Sequence, residues 1–332
     1  NRYLIVNGDV QIEPSGGITI TTNTSAILYV SGNWDNQGGV LDQQTTGGLI
    51  YLRGTNNTIS TENGFRKLSL DTATAAYTLT DGAVVAISGT SASYFINTTA
   101  WFYGGNNTNQ ATLKASVWTT NLGRFSAGNS KFVWMGTTDV PLETYYDLQI
   151  GSNLDNYNIA TTYTYSANQT INRHLIVDTG STLTLNQSGG TIIIKGNIWV
   201  KQGGALNLNN ATVRLEGDLI VDGTISGGSS LMVFNGSTVQ KVRSTIGVTS
   251  ITLNNIQITP TATAEFQMNV TANNINSGLA SPHGIIKLNS NQLTVTGTWN
   301  DADAGDNLSE DTGTVYFYGT TATIPNETWY NL

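Results

Sequence analysis

Four segments of the chain follow one plan: GGLIYLRGTNNTIS (47–60), NSKFVWMGTTDVPL (129–142), SSLMVFNGSTVQKV (229–242) and TGTVYFYGTTATIP (312–325). They align on Gly54, Gly136, Gly236 and Gly319, at comparable intervals of which the middle one is the longest. Two places before the glycine stand Leu52, Trp134, Phe234 and Phe317; four places before it stand Ile50, Phe132, Met232 and Val315. The positions between are mixed. A constant apolar face at period two is the signature of a strand buried on one side. The glycine then ends the strand and turns the chain.

More of the unit recurs. After the glycine come FRKLSL (65–70), YYDLQI (145–150) and WYNL (329–332), with a looser copy in ITLNNIQI (251–258) behind an insertion. NRYLIV (1–6) and NRHLIV (172–177) match at five of six letters and link the start of the chain to its middle. These copies divide the chain into approximate units 1–70, 71–150, 151–258 and 259–332 of one continuous array over 1–332. Both ends fall inside motifs, so the expectation is a segment cut from a longer array, or ends completed by self-association with a neighbour.

Composition supplies the fold class. The 50 Thr, 37 Asn, 25 Ser and 36 Gly make up 148 of 332 residues, and only 11% of side chains are charged. Thr favours strands, while Asn and Gly favour corners. Candidate strands such as ITIT (18–21), AILYV (26–30), TLTL (182–185), TIIIK (191–195) and TVRLEG (212–217) are short and closely punctuated. No stretch keeps a period of 3.6. The reading is all-β: a parallel β-helix, or β-solenoid, built from imperfect 80–100-residue repeats, with windings of about 20–25 residues stacked on a shared core. The alternative is a string of tandem β-sandwich domains, since a unit of that size is also one sandwich. Against it stand five Pro and the lack of an evident linker.

A net charge of −8 with only 14 Lys plus Arg argues against nucleic acid as a partner. No apolar run reaches the roughly 18 residues of a membrane helix. With no Cys there are no disulfides, thiolate metal sites or thiol catalysis. Nucleophilic catalysis would need a base, and only His174 and His283 offer an imidazole. His174 stands where the sister motif has Tyr3, and His283 follows Pro282. Neither reads as catalytic, and no catalytic residue is assigned.

Three other features nominate sites. DADAGDNLSED gathers Asp301, Asp303, Asp306, Glu310 and Asp311. Carboxylates at alternate positions around a glycine are hard oxygen ligands of the kind calcium takes. No cofactor is required, and calcium is the one the acids suggest. Trp101 and Tyr103, in AWFYGGNN, have no repeat counterpart and are candidates for stacking on glycan rings. The other aromatics, including Trp118, Tyr145, Tyr146, Trp329 and Tyr330, mostly recur at repeat positions and read as core. Thr72, in Asp71-Thr72-Ala73, matches a short O-glycosylation pattern and is a candidate modification site.

The succession G-x-W-x-N-x-G, a strand ending aromatic-x-G, and then [FYW]-Y-[ND]-L-x-I resembles the long repetitive surface and secreted proteins of Bacteroidota-type bacteria, adhesin-like ones among them. The residues that carry it are Gly32, Trp34, Asn36 and Gly38, and later Gly297, Trp299, Phe317, Gly319, Trp329, Tyr330, Asn331 and Leu332. The resemblance implies an extracellular, cell-surface location and a structural or adhesive role as stalk, adhesin or filament segment, without enzymatic activity. The competing expectation is a carbohydrate-binding or polysaccharide-degrading β-helix, with surface glycans as partners.

Overall fold

A computed structural model describes residues 2–20, 26–43, 48–61, 64–66, 68–70, 72, 74–87, 94–96, 100–116, 118–120, 125–152, 158–277, 284–300, 308–309, 311–318. Among these residues there are short strands and no helix, hence none long and apolar enough to cross a membrane. The strands pair in parallel, each with a partner one winding away. The fold is a β-solenoid; a sandwich would require antiparallel ladders. The chain forms two compact units, Asn1–Leu148 and Gln149–Leu332.

In the first unit each winding contributes to three faces. One face is a six-stranded sheet that starts Arg2–Val6, Ala26–Val30, Leu49–Leu52 and Leu68–Leu70. A second runs through Val10–Ile12, Trp34–Asn36, Asn57–Thr61, Ala76–Leu79, Trp101–Tyr103 and Phe125–Ser126. The third holds Gly17–Ile20 against Val40–Gln43, and Val84–Ile87 against Thr112–Ala115 and Lys131–Trp134. Parallel register places Leu28 on Ile50 and Ile50 on Leu68. All three are buried. Each such step is one winding, far shorter than the interval between copies of the sequence motif. The winding is therefore the physical repeat.

The second unit is built likewise. Register runs Ile192, Val213, Met232, Ile256, Ile275, Trp299, in steps of unequal length. Every member of this column is at most 1% exposed. Fully burying such a side chain stabilises by about 1.5–3 kcal/mol. Like stacked on like thus supplies a continuous core from short strands.

The strands of the long repeat do not all share a face: Leu231–Phe234 and Thr314–Phe317 lie in one sheet, whereas the first two copies are on different faces. Leu49–Leu52 lies in the first face of its unit and Lys131–Trp134 in the third. What the first three copies share is a corner. A Cβ on Gly54 would collide with the carbonyl oxygen of Ser31, one on Gly136 with that of Ser116, and one on Gly236 with that of Glu216. Each clash is with backbone of the preceding winding. The constant spacing within the motif thus encodes a point where two windings come too close for any side chain.

Candidate functional site

The corners are where polar side chains do most of their bonding. In the first unit Asp9 Oδ1 accepts the backbone N–H of Asn33 at 2.7 Å, and Asn33 Oδ1 accepts that of Thr58 at 2.8 Å. In the second unit His174 Nδ1 accepts the N–H of Asn197 at 3.0 Å, Asn197 Oδ1 that of Asp218 at 2.9 Å, and Asp218 Oδ1 that of Lys241 at 2.8 Å. Another ladder joins Asn255, Asn274 and Thr298. The backbone rungs satisfy donors that a bend removes from the sheet. His174 therefore has a structural place: its unprotonated Nδ1 stands where neighbouring windings use a carboxamide or carboxylate oxygen.

Side-chain amides add staples. Asn57 Nδ2 donates to the Ser31 carbonyl at 2.6 Å beside Gly54. Gln240, 1% exposed, accepts the Gly236 N–H through Oε1 at 2.6 Å, and its Nε2 donates to Leu215 and Gly217 carbonyls, both at 2.8 Å. The inward Tyr77 hydroxyl donates to the Gly32 carbonyl at 2.9 Å and accepts the Gly54 N–H at 3.2 Å; burial pushes this phenol above its usual range. None of these roles was assigned from sequence. The only signal was an amide shortly after a corner glycine.

Trp101 and Tyr103 lie half-buried on the outward side of their strand, flanking the inward Phe102. Their rings are parallel within 6° at 5.3 Å between centroids, so one face of each is occupied by the other. Tyr145 is fully buried and its hydroxyl donates to the Pro141 carbonyl at 2.6 Å. It packs with Phe125 and Phe132, and Trp118 meets both phenylalanines edge-on. Trp118 Nε1 donates to Glu143 at 3.3 Å; burial raises the Glu143 carboxyl, against the lowering effect of that bond. The Thr72 hydroxyl donates to the Arg53 carbonyl at 3.2 Å. Of the acidic candidates, Asp311 is exposed with φ 50°. Asp301, Asp303, Asp306 and Glu310 lie outside the described residues, as do His283, Trp329 and Tyr330. Among the described residues no three His, Asp or Glu gather as a metal site.

A heavily bonded carboxylate is one the sequence did not single out. Asp222 accepts from Trp199 Nε1 at 2.9 Å, Ser244 Oγ at 2.9 Å, and both the N–H and the hydroxyl of Thr245 at 2.6 Å. Burial by itself would raise this carboxyl. The bonds from Thr245, Trp199 and Ser244 outweigh it and hold the group at about 2. The carboxylate anchors the start of segment 244–249, the insertion that breaks the repeat. Comparison of the chain with protein-family models, with curated proteins and with solved structures finds no match.

Proposed function

We propose that the chain serves as an extracellular structural and adhesive scaffold, a stalk or filament segment, and not as an enzyme. The observation that carries this reading is the way successive windings are joined. Apolar columns, parallel backbone ladders and side-chain rungs at the corners all link one winding to the next, so the polar side chains that chemistry would use are largely engaged in connection. In nearest-neighbour stacking of this kind, stability is the sum of the windings and of the interfaces between them. The extracellular location follows from the resemblance to bacterial surface repeats.

Electron microscopy of native material tests the proposal. Continuous fibres carrying this unit are the expected result, and isolated compact particles would overturn it. A carbohydrate-binding role is the second reading, favoured by the outward Trp101–Tyr103 pair. Trp101→Ala should then abolish retention on a glycan array.

A further inference from the structure

We infer that a groove on the second unit binds a neutral, polyhydroxylated chain, a polysaccharide without charged groups. The groove follows from an irregularity of winding. The step from Leu231 to Asn255 is longer than the one before it, from Thr212 to Leu231. The extra length includes segment 244–249, whose start Asp222 holds. It leads into the nine-residue strand Ser250–Ile258. The four-stranded sheet that ends at Thr224–Ser226 does not continue into that strand. A groove of about 470 Å³ opens at the break, within the range that small ligands occupy.

Its floor is glycine for a physical reason. A Cβ on Gly227 would lie 2.6 Å from the backbone nitrogen of Asn254, and Gly228 has φ +54°. Its walls carry Ser226, Thr252, Asn254, Thr271, Asn273 and Thr296, with no ionisable side chain. Thr296 and Asn273 bond to each other at 3.5 Å. Among the described residues, the side chains of Ser226, Thr252, Asn254 and Thr271 make no protein hydrogen bond. This sets them apart from Asn197, Asn210, Asn274 and Asn291, whose amides are used in joining windings. Hydroxyls and an amide with open bonding capacity, gathered in one concavity, are complementary to sugar hydroxyls. The absence of charge in the lining selects against acidic polymers, because an unpaired charge would lose water without gaining a partner. Thr252 and Thr271, both lining the groove, are in direct register on successive windings. Adjacent strands lie about 4.8 Å apart, close to the advance of an extended glycan per sugar. The groove thus offers repeated hydroxyls to a repeating ligand.

A neutral glycan here deepens the adhesive half of the proposed function, on which it rests, and is independent of the mechanical half. Affinity electrophoresis of the intact 332-residue chain tests it, in gels containing dextran, laminarin or galactomannan, with alginate as the acidic comparison. Retardation by at least one neutral polymer and none by alginate is expected. Thr271→Lys should weaken retardation at least tenfold, about 1.4 kcal/mol. Thr162→Lys, on an outward strand position away from the groove, should leave it unchanged, with circular dichroism confirming both folds. No retardation by any neutral polymer, equal retardation of Thr271→Lys, or loss on Trp101→Ala instead would overturn the assignment. Absence of fibres with retardation intact would sink the scaffold reading alone.

Discussion

The two units fill the same architecture differently. In the first, rings interlock: Trp118, Phe125, Phe132 and Tyr145 pack at centroid distances from 5.1 to 6.5 Å, with Phe132 also stacked on Trp134. In the second, aliphatic residues repeat in register, as in the column from Ile192 to Ile275. Windings in the first unit are uneven: the step from Ile50 to Leu68 is much shorter than the next, from Leu68 to Tyr94. A column of like residues needs only matching positions. Interlocked rings need specific neighbours. The first solution concentrates stability in a few large side chains, whereas the second spreads it over many small steps.

That contrast can be broken by substitution. Phe132→Ala should cost about 3–5 kcal/mol, and Ile256→Ala about 2–4 kcal/mol, read as loss of amide-exchange protection confined to the unit concerned. Equal losses, or losses shared by both units, would remove the distinction. Next in size is acid sensitivity in the second unit. The folded Asp222 carboxyl, at about 2, lies below its ordinary 3.8. The ionised form therefore favours the fold: the contribution is whole above about pH 4 and disappears as pH falls through about 2. It amounts to at most about 2 kcal/mol, less where solvent screens the carboxylate. Denaturation midpoints measured across that window should fall in the wild type and stay flatter in Asp222→Asn.

The corner ladders give smaller effects. Asp218→Ala leaves the Lys241 N–H without its acceptor and removes a partly exposed ion pair with Arg243 at 3.4 Å. About 1–2 kcal/mol should be lost, with Asp218→Asn recovering most of it in urea melts. His174→Leu should cost about 1 kcal/mol, and His174→Asn nearly nothing. If leucine proves as good as asparagine, the imidazole is not a rung. The smallest change has the opposite sign. Asn36 is 2% exposed and both its amide atoms lack a partner. Asn36→Leu should be neutral or stabilising in calorimetry, because it removes a desolvated polar group that makes no bond.

Legibility followed the range of the interaction. Alternation at Ile50 and Leu52, or at Met232 and Phe234, is local, and it revealed which residues face inward. The glycines marked corners because a bend is also local. The repeat motif did not reveal that its first two copies occupy different faces while its last two share one, since windings of unequal length accumulate between copies. Nor could it place the rungs. Asn197 meets Asp218 only because one turn of backbone brings distant positions to adjacent corners. The Asp222 anchor reaches Thr245 across a whole winding and was invisible for the same reason.

By itself the sequence determined short, closely punctuated strands of an all-β chain and favoured a parallel winding over tandem sandwiches, because side-chain period and corner chemistry are properties of neighbouring residues. The tertiary structure alone decided which side chain bonds to which in the next winding, where the rings interlock, and where an uneven turn opens a groove. Those depend on the length of every intervening loop, and no local pattern records that sum.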